Sequence, residues 1–541
     1  MVKLTVNKPW EQWYEERTLS LQLPESSIYA LLEKTAQQYP NHIAIIFQDE
    51  PTNYRVLKTQ VDKLAGKWQE IGLKKGDRIG LMMANHPLYI VSYYAAQALG
   101  LVVVQVNPMY TPRELMQILV DSRAKYIVFD KLAKKTVEEI KDLYAFEQCF
   151  TSEDDSSGYV SLSTLIEDGV AITGPGEVDP HEDVAVIQYT GGTTGVMKGA
   201  MLTHYNLTSN VVQSVEMYSK AMIPGEEIIL TATPLYHVYA MTSAMNLGIY
   251  MGATVLLFPK FEIEDVLTNV RKYRPTFFPG VPKMYNSFVN YPQIEEYDLK
   301  CLKFCSCGSA LLPIEVIKRF EELTGAVIGE GFGLSEASPS THRNPSFAKR
   351  KIGSIGIPFP GTDCMIIDDN GTEMGANCVG ELLIKGPQIM KGYWNNAVET
   401  RKALQNGWLY TGDLSMMDEE GYFYIVGRKK EMIIIGGFNI YPQEVESVLY
   451  EHPDIQEAAV VSIPQVELEE VIKVFIVPKD GATIDLEEIK GYCYTRLTPY
   501  KVPKEFEVIE KLPRNTVGKL LKRLLVKEEM EKRGLGQDGK Q

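Results

Sequence analysis

Residues 184–199 read VAVIQYTGGTTGVMKG. An apolar run, Val184–Ile187, feeds straight into a turn. That turn places four glycines, three threonines and one lysine within residues 189–199. A strand ending in such a turn predicts a phosphate cradle. Glycine lets backbone N–H groups approach an anion closely, and threonine hydroxyls donate beside them. The familiar P-loop requires G-x-x-x-x-G-K-[ST] ahead of a helix. Here Gly195 stands three positions before Lys198, and Gly199 follows the lysine where Ser or Thr is needed. The stretch reads as a phosphate loop of another kind.

The runs around it place that loop in an α/β fold. From His42 to Gly333, short apolar runs alternate with amphipathic stretches. They are HIAIIF (42–47), RIGLMMA (78–84), LVVVQV (101–106), KYIVF (125–129), VAVIQYT (184–190), EIILTATP (227–234), TVLLFP (254–259) and AVIGEGFG (326–333). β-branched, nearly continuous runs are strands buried on both faces of parallel sheets, with helices between them. Ligands bind beyond the carboxyl ends of such strands. Asn107, Thr190, Pro234–His237, Gly308–Ala310 and Glu330–Glu336 sit at those ends.

From Gly353 to Val426 the texture changes. DDNG (368–371) and DEEG (418–421) are hairpin signals between short runs and predict a β-rich part (353–426). After GRKKE (427–431) comes a small α/β domain of about a hundred residues. Its signals are a helix at PQEVESVLYEH (442–452), strands at EAAVVSI and VIKVFIV, and a helical face of Leu486, Ile489, Cys493 and Leu497. The expected division is a large domain over 1–428 and a small one over 429–541.

Composition narrows the function classes. A chain of 541 residues exceeds one hydrophobic core. A net charge of −15 gives no basis for nucleic-acid binding. Seven cysteines do not form a secreted disulfide framework. CLKFCSC (301–307) has the wrong spacing for a zinc site and no histidine beside it, so it reads as a core strand. The first residues carry no apolar signal core, and no uncharged run approaches the ~20 residues of a membrane span. A cytoplasmic enzyme is the default reading.

Four more polar segments stand beside the opening one: PLYHVYA (234–240), GEGFGLSEAS (329–338), WLYTGDL (408–414) and PRNTVGKLLKR (513–523). Each alone is weak. In this order the set closely resembles the adenylate-forming superfamily of acyl-CoA synthetases, peptide-synthetase adenylation domains and beetle luciferases. The resemblance spans about Ser26 to Leu525. PLYHVYA and GRKKEMIIIGGFNIYPQEVE are most similar to the long-chain fatty acid–CoA ligase branch. It implies two mostly parallel sheets in the large domain and a mobile C-terminal domain.

The resemblance also implies roles. Gly191, Gly192, Thr193, Thr194, Gly195 and Lys198 would hold the β- and γ-phosphates of ATP. Thr190 and Glu336 would serve Mg2+. Glu330, Gly331, Phe332 and Gly333, with Gly308, Ser309 and Ala310, would form the adenine side. Phe332 stands where Tyr is usual, and Ser335 where Thr is usual beside the α-phosphate. Asp413 would accept the ribose hydroxyls, with Arg428 adding a cation nearby. Lys519 would bridge acyl carboxylate and α-phosphate. Lys430 matches the hinge, and Gly436, Gly437 and Phe438 would line the thiol tunnel after rotation. His237, Tyr239 and Met241 would flank the acyl site.

The implied activity is ATP-dependent activation of a medium- or long-chain fatty acid, then transfer to coenzyme A. Loading of another acid, or of a carrier protein, is the nearest alternative. A sensor without turnover and light emission with oxygen are the others. No carrier domain follows Lys519 in this sequence. VELEEVIK (466–473) lacks the Arg-Gly-Glu pattern of relatives, which weakens an expected coenzyme A contact there. Gly436 stands where coumarate ligases and luciferases carry lysine, a mark of the fatty-acid branch. Transient membrane contact and a homodimer stay open, and no basic amphipathic helix supports the former.

Overall fold

A computed structural model describes residues 7–154, 158–191, 197–310, 312–435, 438–463, 470–515 and 519–534. The chain packs as two compact units. One comprises 1–364 with 384–409, the other 365–383 with 410–541.

The first unit holds two large sheets. One has nine strands in the order Ile357–Pro358, Ser340–Arg343, Val327–Gly333, Phe304–Cys307, Phe277–Gly280, Ile228–Thr231, Thr254–Leu257, Ile43–Phe47 and Glu50–Asn53. The six strands from Val327–Gly333 to Ile43–Phe47 run parallel. The other has eight, in the order Gly392–Tyr393, Met197–Thr203, Val184–Gly191, Val102–Gln105, Arg78–Met82, Tyr126–Phe129, Gln148–Thr151 and Val160–Ser161. It is parallel from Val184–Gly191 onward and antiparallel at the Met197–Thr203 end.

Every apolar run predicted as a strand forms one. They are parallel because the intervening helices fold back over the sheet faces. Helices Ile28–Gln38, Tyr54–Ile71 and Pro87–Ala98 lie in a core shared with Ile45 and Val255 of one sheet and Ile79, Val103 and Val186 of the other. Cys305 and Cys307 are buried on strand Phe304–Cys307, packed with Phe278 and Tyr285.

The second unit contains the DEEG hairpin, strand Phe423–Arg428 pairing antiparallel with Trp408–Met417. It also contains a three-stranded sheet of Ile455–Ile463, Val471–Pro478 and Glu505–Val508. One face of that sheet packs Val445, Leu449, Ile489 and Cys493 from helices Pro442–Tyr450 and Leu486–Tyr494. The other packs Leu512 and Leu525. Residues 428 and 429 both lie within this unit. Gln443, on helix Pro442–Tyr450, donates from Nε2 to the Ile425 carbonyl at 3.1 Å, tying that helix to strand Phe423–Arg428.

Helix His204–Met217 begins where strand Met197–Thr203 ends. Thr203 Oγ1 accepts the Asn206 N–H at 3.2 Å, and Asn206 Oδ1 accepts the Thr203 N–H at 2.9 Å. Both residues are buried, and Asn206 Nδ2 donates to the Pro387 carbonyl at 2.7 Å. Thr203→Ala deletes the cap and leaves the buried Asn206 N–H without its acceptor. It should lower unfolding free energy by about 1–2 kcal/mol, read as a fall in the urea midpoint.

Candidate functional site

The opening motif begins on one strand and ends on another that pairs with it. Strand Val184–Gly191 pairs antiparallel with Met197–Thr203, and Thr190 stands opposite Lys198. Thr190 Oγ1 lies 3.5 Å from the Lys198 carbonyl oxygen. The expected phosphate residues Gly192, Thr193, Thr194 and Gly195 lie outside the described residues, while Gly191 ends the first strand. Gly199 is required by packing: a Cβ there would come within 2.6 Å of Ile187 Cγ2.

A third strand extends the hairpin and brings residues that the sequence did not flag. Tyr393, on Gly392–Tyr393, pairs with Ala200. The Lys198 ammonium lies 5.4 Å from the centroid of the Tyr393 ring. The Tyr393 hydroxyl donates to Glu336 Oε1 at 2.8 Å. One side chain therefore touches both the predicted phosphate lysine and the predicted metal carboxylate. Glu336 sits in the short turn Ser335–Ala337, whose position is fixed by Met390 N–H donating to the Glu336 carbonyl at 2.8 Å. Lys198 also forms an ion pair with Glu399, on helix Ala397–Ala403. Hydrogen bonds from Lys198 first, then from Lys402, draw the Glu399 carboxyl down to about 2.

The predicted adenine loops are neighbours. Strands Phe304–Cys307 and Val327–Gly333 run parallel with Cys307 beside Glu330, so Gly308–Ala310 and Glu330–Gly333 share their carboxyl ends. Ser309 and Ala310 are exposed. Ser309 turns the chain with φ 71°, a left-handed backbone. The half-exposed Phe332 ring meets the buried His342 ring edge-on at 6.1 Å. At Gly333 a Cβ would fall 2.2 Å from the Pro339 carbonyl oxygen, so only glycine permits this approach.

Glu330 is buried beside them. Burial pushes its carboxyl up to about 7, against the pull of the Gly353 N–H, 2.9 Å from Oε2, and of Arg350.

His237 caps the helix that follows it, its Nδ1 accepting the Tyr239 N–H at 3.3 Å. The next turns, Met241–Asn246, are wound as a π-helix, a form often found at functional sites. Tyr239 is buried with its hydroxyl 2.9 Å from Ser306 Oγ, and its ring fills the space a Cβ at Gly308 would take. Met241 is fully buried, its sulfur receiving a hydrogen bond from Gln105 Nε2 at 3.1 Å. Asn85, unflagged by the sequence, ties these strand ends together. It accepts the Leu235 N–H at 2.8 Å and donates to the carbonyls of Thr233 and Phe258 at 3.1 and 3.0 Å.

In the second unit Asp413 and Arg428 face each other across their strand pair, Nε to Oδ1 at 2.7 Å, with Asp413 buried. Thr411 Oγ1 accepts the Asp413 N–H at 3.0 Å. Lys430 lies in the exposed turn Lys429–Glu431. Gly436 and Gly437 lie outside the described residues, as do 466–469, and Phe438 opens strand Phe438–Ile440. Lys519 is exposed. Its N–H donates to Asn515 Oδ1 at 2.8 Å, and its carbonyl accepts the Asn515 N–H at 2.9 Å.

The model of the AMP-binding enzyme family matches residues 32–394, and that of the AMP-binding enzyme C-terminal domain matches 444–519. A long-chain-fatty-acid–CoA ligase of Bacillus subtilis is 41% identical over 97% of this chain and 98% of its own. One of Escherichia coli O6:H1 is 37% identical over 92% and 94%. The crystal structure of ATP-bound MatB from Rhodopseudomonas palustris superimposes with a TM-score of 0.85 at 28% identity, covering 94% of this chain and all of that one (100%).

Glu330 supplies a test of the site's electrostatics. An acid whose folded pKa is raised contributes stability that is complete below its unfolded value, 4.5, and is lost as pH rises through about 7. Glu330→Gln removes that loss. Its stability relative to wild type should be lowest near pH 4 and should rise by up to about 3 kcal/mol by pH 8, read from urea midpoints across that range.

Proposed function

The chain belongs to the AMP-binding enzyme family, and from that premise we propose that it is an AMP-forming fatty acid–coenzyme A ligase. In the first half-reaction a fatty acid carboxylate oxygen attacks the α-phosphorus of ATP. The bond from that phosphorus to the bridging oxygen breaks, giving acyl-AMP and pyrophosphate. In the second, the sulfur of coenzyme A attacks the acyl carbon, the bond to AMP breaks and the thiol proton is released. The observation that carries this reading is full-length likeness to fatty-acid ligases, spanning both domains. A medium- or long-chain acid is its substrate, and a cytoplasmic location accords with ATP and coenzyme A as co-substrates. Among the described residues no helix is long and apolar enough to cross a membrane.

Each site group meets one need of this chemistry, which is positioning and charge neutralisation. Thr190, Gly191, the loop after it and Lys198 take the departing pyrophosphate. Glu336 and the Thr190 hydroxyl are oxygen donors suited to Mg2+, and the Tyr393 hydroxyl orients Glu336 as an outer partner does. A magnesium ion held there would neutralise phosphate charge. Phe332 offers a ring face to adenine between the Glu330–Gly333 and Gly308–Ala310 loops, and Ser335 stands by the α-phosphate. Asp413, oriented by Arg428, accepts the ribose hydroxyls. His237, Tyr239 and Met241 flank the acyl group. Lys519 bridges carboxylate and α-phosphate as charge builds. It would obstruct the thiol, so residues 429–541 turn about Lys430 between half-reactions and bring Gly436–Phe438 to the acyl site.

The test is pyrophosphate exchange and acyl-CoA formation with ATP, magnesium and a panel of fatty acids. If no acid supports either, the reading fails; acyl transfer to a carrier protein in preference to coenzyme A would redirect it. Lys519→Ala should lower adenylation by about a hundredfold or more while thioester formation from supplied acyl-AMP stays within a few-fold. Equal losses in both would remove the assigned role.

A further inference from the structure

Lys198 is held by more than its strand. Its ammonium meets Glu399 on one side and the Tyr393 ring on the other. Glu399 is itself fixed. Asn396 Oδ1 accepts the Glu399 N–H at 3.1 Å and so starts helix Ala397–Ala403. Thr400 Oγ1 accepts the Tyr393 N–H at 2.8 Å, pinning that helix to the third strand of the hairpin. The second oxygen of Glu399 receives the Lys402 ammonium at 2.7 Å. A carboxylate bridging two lysines stays ionised throughout the working pH range. Both members of the pair reach solvent, with side-chain exposures of 19% for Lys198 and 26% for Glu399, so another anion can compete for the lysine.

We propose that Glu399 is a built-in counter-ion of Lys198 that the pyrophosphate end of ATP displaces, so that Glu399 sets how tightly ATP and pyrophosphate are held. This rests on the reading of Lys198 as a phosphate ligand. Without a polyphosphate, Glu399 neutralises the lysine and keeps it on the strand opposite Thr190. A polyphosphate carries more charge than one carboxylate and takes its place. When pyrophosphate forms, the waiting carboxylate competes for the lysine and favours departure. Lys402 tempers the exchange by drawing on the same carboxylate.

The opposite reading, in which Glu399 only props Lys198 in position, gives the opposite sign in an experiment. Under displacement, Glu399→Gln should lower the KM for ATP and the inhibition constant for pyrophosphate together. Each change should be about two- to fivefold, the range open to an ion pair of this exposure. The KM for fatty acid should move much less. Lys402→Gln, at a largely exposed position, frees Glu399 to hold Lys198 harder and should raise the KM for ATP. In a Lys198→Ala background, Glu399→Gln should add nothing further. A raised or unchanged KM for ATP in Glu399→Gln overturns the proposal. So do shifts of the same sign in Glu399→Gln and Lys402→Gln. Should the wild-type protein turn over no acid, the ligase reading has failed. Calorimetric titration with magnesium pyrophosphate then decides this proposal alone: tighter binding by Glu399→Gln than by wild type supports it, and equal or weaker binding overturns it.

Discussion

The site is spaced from one ladder, the antiparallel pairing that sets Thr190 opposite Lys198. In such a ladder, directly opposed residues have Cβ atoms about 5 Å apart on one face of the sheet. A hydroxyl and an ammonium are thus presented side by side at the ends of the paired strands. The next pairing step, Tyr393 with Ala200, adds the ring under Lys198 and the hydroxyl on Glu336. A P-loop places its lysine at the start of a helix, where the dipole and free N–H groups share the work of binding phosphate. Here the helix begins only at His204, after the return strand is complete. Among the described residues no helix start stands beside Lys198 on this hairpin, so the ion-pair partner of Lys198 matters more than it would in a P-loop.

The carboxylates show how differently one fold can treat the same group. Glu399 is drawn down to about 2 because two ammonium groups hydrogen-bond to it at a partly open position. Glu330 is pushed up to about 7 because burial outweighs one backbone N–H and the charge of Arg350. The first stays an anion paired with Lys198. The second is about half protonated at pH 7 and lies beside the proposed adenine loops, where burial disfavours a full negative charge. Burial and pairing decide the difference, as expected when desolvation and opposite charge compete.

The fold was legible where both faces of a strand are buried. Runs such as LVVVQV and KYIVF have no polar alternative to the core, and each forms a parallel strand. The strands that build the site were harder to read. MKGAMLT carries lysine, glycine and threonine at positions a buried strand seldom tolerates, yet it pairs along its length because one of its edges meets Val184–Gly191. Gly392–Tyr393 is two residues long, too short for any periodicity. Tyr393 and Glu399 lie about two hundred residues from Lys198 within KGYWNNAVET, and only tertiary structure brings them to it. Asn85 follows an apolar run as one polar residue among many, and its bridging role depends on loops that arrive from Thr233 and Phe258.

The same contrast between fixed and adjustable parts applies to the second unit. Lys519 is joined to Asn515 by reciprocal hydrogen bonds, and the Leu521 N–H donates to the Pro513 carbonyl at 2.8 Å. These bonds hold Asn515 and Lys519 together on either side of 516–518. Lys429 is anchored by Glu381 at 3.1 Å and Asp369 at 3.0 Å, so strand Phe423–Arg428 and the residue after it are held to the β-rich part. Beyond Lys430, helix Pro442–Tyr450 is held to that part through Gln443 and the Ile425 carbonyl. A rotation about Lys430 has to break that hydrogen bond but can leave both Lys429 ion pairs in place. A single neutral hydrogen bond is worth about 1 kcal/mol, within reach of the binding energy of a nucleotide or a thiol. The proposed hinge thus has a fixed side and a releasable contact, which the proposed two-step reaction in one site requires.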